Sequence, residues 1–162
     1  MPSSEASPYF QVSADAIYVV ESRNNGEWLV KTGLATGPFA PFVLSLRAGG
    51  AVKALFGWYA VQIDILAQVP VNQRDSVPIL FIIPTQLQIR LQDRLAAYLI
   101  TGFRGVLASG QDADATIPAG VGLLLGSRWF DVGTEWRFPR MLGTGRTWNE
   151  RSLFITAALR YW

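Results

Sequence analysis

The sequence predicts an all-β fold: a closed antiparallel up-and-down β-barrel of about eight strands, with ten as the alternative. Three observations carry this reading. Apolar and polar residues alternate with period two over nine extended runs, most of them 10–14 residues long, and side chains on a strand alternate faces with that period. The runs are separated by turn signals and polar loops, and no amphipathic helix competes. Composition supplies the third observation. Half of the 162 residues are apolar and only 16% are charged, against about 25% in ordinary soluble domains. Mean hydropathy is +0.23. No apolar run reaches the roughly 20 residues of a membrane helix. The longest candidate, Val77 to Ile83, is short and contains Pro78. Such a chain is either a well-buried soluble β domain or a transmembrane β-barrel, which satisfies its backbone within a bilayer by closure. The transmembrane barrel is the expectation adopted.

Residues 1–8, M-P-S-S-E-A-S-P, form a polar lead-in, expected to be mobile. A single barrel domain is expected over 9–162. Tyr9 to Glu21 alternates, with Phe10, Val12, Ala14, Ala16, Tyr18 and Val20 against Gln11, Ser13, Asp15 and Glu21. R-N-N-G at 23–26 is a hairpin turn signal, because Asn and Gly tolerate positive φ. Trp28 to Ala35 returns, with Trp28, Val30, Thr32 and Leu34 opposite Lys31 and Gly33. A Gly/Pro loop follows to Pro41. Phe42 to Phe56 sets Leu44, Leu46, Ala48, Val52 and Ala54 against Ser45, Arg47, Gly49, Ala51 and Lys53. Gly49-Gly50 reads as a bulge or a turn. Trp58 to Val69 sets Tyr59, Val61, Ile63 and Ile65 against Gln62, Asp64 and Gln68.

The second half continues the rhythm. After a polar loop at 71–77, Ile79 to Leu91 sets Ile79, Phe81, Ile83, Leu87, Ile89 and Leu91 against Gln86, Gln88 and Arg90. A tight turn at 92–94 leads into Leu95 to Val106, with Leu95, Leu99 and Phe103 against Tyr98, Gly102 and Arg104. A long polar loop spans 108–116. Ile117 to Gly126 sets Ala119, Val121, Leu123 and Leu125 against Gly120, Gly122 and Gly126. Arg128 to Pro139 gives the clearest separation: Phe130, Val132, Thr134, Trp136 and Phe138 on one face, Asp131, Gly133, Glu135 and Arg137 on the other. The longest loop, 140–151, precedes Ser152 to Trp162, where Leu153, Ile155, Ala157, Leu159 and Tyr161 oppose Thr156, Ala158 and Arg160.

This pattern resembles bacterial outer-membrane β-barrels, with strands apolar outside and polar inside, tight turns at one end and longer loops at the other. The resemblance covers residues 9–162 at the level of pattern. The final L-R-Y-W is similar to the family's C-terminal assembly signal, although here Tyr161 is in register with the apolar stripe and Trp162 lies one position beyond it. The family uses even strand numbers, so one of the nine runs is expected either to be incomplete or to divide at Gly49-Gly50. The resemblance implies an outer-membrane location in a Gram-negative bacterium or equivalent, the lipid bilayer as partner, and an assembly machinery that reads the last strand. The start has neither the basic nor the apolar region of a signal peptide, so an exported chain of this sequence would be a mature form or a recombinant one whose Met1 was added.

The charged faces define the candidate site. Asp15, Glu21, Lys31, Arg47, Lys53, Asp64, Arg90, Arg104, Asp131, Glu135, Arg137 and Arg160 are expected to line the lumen. There they would pair, because isolated buried charges are costly. Two outcomes are open: a charge-selective pore, or a salt-bridged plug in an interior that about eight strands just fill with side chains. Tyr9, Trp28, Trp58, Tyr59, Trp129, Trp136, Tyr161 and Trp162 are expected to face lipid or its interface. The alternative is a soluble lipocalin-like barrel or sandwich with the apolar stripes inside, binding an apolar ligand. Three features favour lipid. Gly and Ala accompany both charge signs on the polar faces, aromatics sit near strand ends, and Lys, the usual decoration of exposed strands, occurs only at Lys31 and Lys53.

Other chemistries find little support. Net charge is +2 without basic runs, so nucleic acid is not an expected partner. Histidine is absent, which removes Ser-His and Asp-His catalysis. Asp131 and Glu135 share a face, but four strand residues separate them by about 13 Å, beyond either glycosidase spacing. Asp112 and Asp114 form a D-x-D that reads as a solvated loop rather than a calcium site. Gly120-x-Gly122 and Gly143-Thr144-Gly145-Arg146 lack the remaining elements of nucleotide or phosphate loops. The expectation is therefore a non-enzymatic protein without cofactor or metal. Cysteine is absent, so nothing follows about redox compartment.

Overall fold

A computed structural model describes residues 9–39, 42–74, 77–107, 115–143 and 151–161. The alternating runs become nine strands: β1 (Tyr9–Arg23), β2 (Gly26–Phe39), β3 (Phe42–Phe56), β4 (Tyr59–Pro70), β5 (Ile79–Gln92), β6 (Leu95–Leu107), β7 (Ala115–Gly126), β8 (Phe130–Gly143) and β9 (Ser152–Tyr161). They close into one barrel in chain order. Each consecutive pair is antiparallel. The β1–β9 pair that closes the ring is parallel, running from Tyr9↔Ser152 to Tyr18↔Tyr161. The strand number is thus odd, and parity forces the parallel seam. With nine strands in strict alternation, the first and last point the same way. Gly49-Gly50 neither divides β3 nor bulges, since its pairing with β2 and β4 is continuous through both residues.

Strand tilt follows from register. A path of paired residues leads from Arg23 through Gly26, Ala54, Val61, Leu87, Leu99, Val121, Trp136 and Leu153 back to β1 at Phe10. One circuit therefore climbs thirteen residues of β1, one of them absorbed by a bulge between Val19 and Glu21. That stagger on nine strands implies a tilt of roughly 40–45°. At that tilt the longer strands rise roughly 30 Å, the thickness of a bilayer's hydrocarbon core.

Four short turns, at 24–25, 57–58, 93–94 and 127–129, share one end of the barrel. Each turn is tied to the strand after its hairpin by a backbone hydrogen bond. Leu55 N donates to Asn25 O (2.9 Å), Arg90 N to Trp58 O (2.8 Å), Gly126 N to Arg94 O (2.8 Å) and Arg160 N to Trp129 O (2.9 Å). Gly57, at φ +68°, supplies the left-handed conformation its turn needs. In the last turn Ser127 Oγ accepts from the backbone N–H groups of Trp129 (3.2 Å) and Phe130 (3.0 Å), a local hydroxyl turn. The connections at the opposite end include the loop after β4, which docks on β3. There Leu44 N donates to Asn72 Oδ1 (2.8 Å) and Asn72 Nδ2 to Phe42 O (2.9 Å).

Proline disturbs the ladder near that loop end. Pairing of β4 with β5 skips from Ile63↔Thr85 to Leu66↔Ile82, bracketing Pro84. Pairing of β6 with β7 skips from Ile100↔Gly120 to Arg104↔Thr116, bracketing Pro118. Proline offers no N–H to the ladder, so both gaps have a direct cause.

Candidate functional site: a charged lumen inside an apolar wall

Alternation puts the apolar residues outside. Val12, Val30, Leu46, Ile63, Leu99, Val121, Trp136 and Leu159 are all exposed, and every strand contributes to this wall. Aromatic residues gather at the tight-turn end. Tyr18, Trp28, Phe56, Trp58, Trp129, Phe130 and Tyr161 are exposed near that rim, and Tyr59 stacks on Phe56 with ring centroids 4.9 Å apart. Among the sequence-predicted aromatics whose side chains are described, Trp136 is the exception, since it lies midway along β8. The side chain of Tyr9, and Trp162 as a whole, lie outside the described residues, as do the lead-in, Asp112, Asp114 and 144–150.

The inward face is polar. Ser13, Glu27, Ser45, Gln62, Asp64, Gln68, Gln88, Asp131 and Glu135 are buried. Their charges are organised as ion pairs, most of them between strands. Lys31 Nζ donates to Asp64 Oδ2 at 2.7 Å, with side chains only 12% and 7% exposed. Asp64 Oδ1 also accepts from Gln62 Nε2 at 2.7 Å. Arg47 contacts Asp15 at 3.2 Å across β2. Arg160 joins two carboxylates, Asp131 at 2.7 Å and Glu27 at 3.7 Å. Arg137 pairs with Glu135 on its own strand and stands over the Phe154 ring, 4.4 Å from the centroid. Glu135 Oε2 accepts from the Tyr98 hydroxyl at 3.4 Å. Glutamines continue the network, with Gln88 Nε2 donating to Gln86 (3.1 Å) and Gln62 (3.4 Å).

Glu21 departs from the expected list. The bulge after Val19 slips the register by one residue, so Glu21 pairs with Trp28 on the outer face. It is exposed and forms an ion pair with Arg23 beside the first turn. A one-residue slip moves a side chain to the opposite face, and this is a local instance. Glu27 takes the position inside that Glu21 does not. Alternation from Lys31 back through Leu29 reaches it, one residue before the run read from Trp28. Arg90 and Arg104 stand at opposite mouths. Arg90 borders a recess at the tight-turn end, and Arg104 a smaller one with Pro84, Pro118 and Pro139 at the loop end.

The lumen is not purely polar. Ile17, Val19, Leu29 and Ala51 form a buried apolar cluster on β1–β3. It adjoins a central cavity of about 130 Å³ bordered by Asp15, Lys31, Arg47, Asp64 and Glu135, among others. Lumen glycines let neighbours approach the wall. A Cβ on Gly33 would stand 2.3 Å from Asp15 Oδ1, and one on Gly49 would stand 1.9 Å from Ile65 O. Five carboxylates, Asp15, Glu27, Asp64, Asp131 and Glu135, thus face five cations, Lys31, Lys53, Arg47, Arg137 and Arg160, between the two mouths. Among the described residues no group of three His, Cys, Asp or Glu side chains is placed to hold a metal. Comparison with family models, with curated proteins and with solved structures returns no match.

Proposed function

We propose that the chain is an integral outer-membrane β-barrel whose lumen is closed by its own ion pairs. It acts as a non-enzymatic scaffold, with conduction limited to a narrow path past the charges. The observation that carries this reading is the polarity of the two faces. Exposed apolar side chains surround the wall while the ion pairs lie inside, the arrangement that lipid favours and water does not. The belt of Trp and Tyr at the tight-turn rim supports it, because these side chains prefer the membrane interface. The partners in this reading are the bilayer and an assembly machinery engaging β9.

A soluble barrel for an apolar ligand needs an apolar interior. The central cavity here is small and edged by charged groups, and an apolar ligand would strip their solvation without replacing it. Refolding into lipid vesicles followed by conductance recording tests the proposal. Detergent-dependent folding, insertion and only weak leak currents are expected. A monomer that stays soluble without detergent overturns the membrane reading, and large steady currents overturn the closed lumen.

A further inference from the structure

The tight-turn mouth holds a recess of about 510 Å³. Lys53, Arg90, Arg94 and Arg160 border it against two carboxylates, Asp93 and Asp131, while Arg128 at its edge is engaged with the Trp129 ring, 4.9 Å from the centroid. Asp131 is already engaged by Arg160 at 2.7 Å. Glu27, the cross-strand partner of Lys53, is oriented to the same Arg160 at 3.7 Å. Lys53 itself makes no hydrogen bond or ion pair among the described residues. The loop-end recess differs. It holds about 80 Å³, and two of its cations, Arg47 and Arg137, are matched by Asp15 and Glu135.

We infer that the tight-turn mouth is a binding site for a phosphate-class oxyanion, with the Lys53 ammonium at its inner end and Arg90 at its rim. Lys serves as a point charge for phosphate, and Arg offers a planar fork of donors that matches two of its oxygens. The excess of cations attracts such an anion, and the low-dielectric wall concentrates their field. Arg160 holds Asp131 and Glu27 within 4 Å, so these carboxylates act on Lys53 only from beyond ion-pair distance. The inference rests on the barrel interior and not on bilayer insertion, so it is read on folded protein in whichever medium keeps it monomeric.

Inorganic pyrophosphate is the probe, titrated into the full-length protein at constant ionic strength with chloride as reference. Calorimetric binding and melting temperature are both followed. Saturable binding that raises the melting temperature is expected. Lys53→Gln and Arg90→Gln should each weaken it by about tenfold or more, whereas Arg104→Gln at the other mouth should leave it unchanged. Arg90 is exposed, so its variant keeps the test valid if Lys53→Gln fails to fold. Competition by phosphatidylglycerol in the micelle would assign the site to a lipid headgroup phosphate, and its absence to a free oxyanion. Non-saturable binding, or affinities indifferent to both Lys53 and Arg90, overturns the inference.

Discussion

Tyr98 packs against Gly122 on the inner wall of the barrel. A Cβ on Gly122 would fall 2.4 Å from Tyr98 Cζ and 2.6 Å from its hydroxyl. The absence of a side chain on β7 lets the phenol reach over to β8, where it donates to Thr134 O and Glu135 Oε2, both at 3.4 Å. Replacing Gly122 with Val should displace the ring and cost about 1–3 kcal/mol through overpacking. Tyr98→Phe, which keeps the packing and removes only hydrogen bonds, should cost about 0.5–1.5 kcal/mol. Denaturant midpoints of the two variants in the same micelles check the order, and an equal loss would mean that the glycine has no special role.

Facing is tested by neighbours in β8. Trp136→Arg puts a charge on the apolar wall and should cost about 2–4 kcal/mol near the bilayer midplane, or block insertion. Glu135→Gln keeps an acceptor for Tyr98 inside the lumen and should leave insertion intact. Protease protection in vesicles measures both, and two equally harmless changes would refute the lipid-facing assignment.

The lumen pairs differ in what their loss strands. Arg160→Ala removes the shared partner of Asp131 and Glu27, so two carboxylates stay buried. Losing one partner of a buried pair costs about 3–5 kcal/mol. Arg137→Ala strands only Glu135, which retains the Tyr98 hydroxyl, and should cost less. Both variants should raise leak conductance, Arg160→Ala the more. Melting temperature and reversal potential on the same samples decide the matter. Unchanged stability with shifted ion selectivity would mark a solvated pore, in which ion pairs contribute little.

Glu21 provides the contrast. It sits outside the lumen, exposed beside Arg23, and Glu21→Ala should change stability by no more than about 0.5 kcal/mol. Glu27→Ala at the same end should destabilise clearly, because it leaves Arg160 with a single carboxylate. Paired thermal melts distinguish the two positions.

Alternation made most of this architecture readable in advance, because period two fixes which side chains share a face. Lys31, Arg47, Asp64, Asp131, Glu135, Arg137 and Arg160 all lie on the inner face that their spacing implied. Ring closure was less legible, because strand number reflects how the first and last strands meet and not any local signal. The bulge after Val19 was hidden as well, since V-V-E carries no glycine to mark it. Apolar residues on the inner face, such as Ile17 and Leu29, look no different in sequence from those that face outward. The pairing of particular charges depends on stagger between strands distant in sequence, which the strands do not encode singly.

Nine is an odd number of strands. In a bilayer, a barrel with an even count returns both flanks of the chain to the compartment of entry, and no free end has to be carried through. Here β1 begins at the loop end and β9 finishes at the tight-turn end. If the barrel spans a bilayer as proposed, Tyr9 and Tyr161 stand at opposite faces of it, and one end of the chain would have to be carried through during assembly. Peptide tags joined at the two ends would be clipped one at a time by a protease confined to one side. Without β1 the asymmetry disappears, since β2 and β9 point in opposite directions and eight strands remain to close with both tags on the same side.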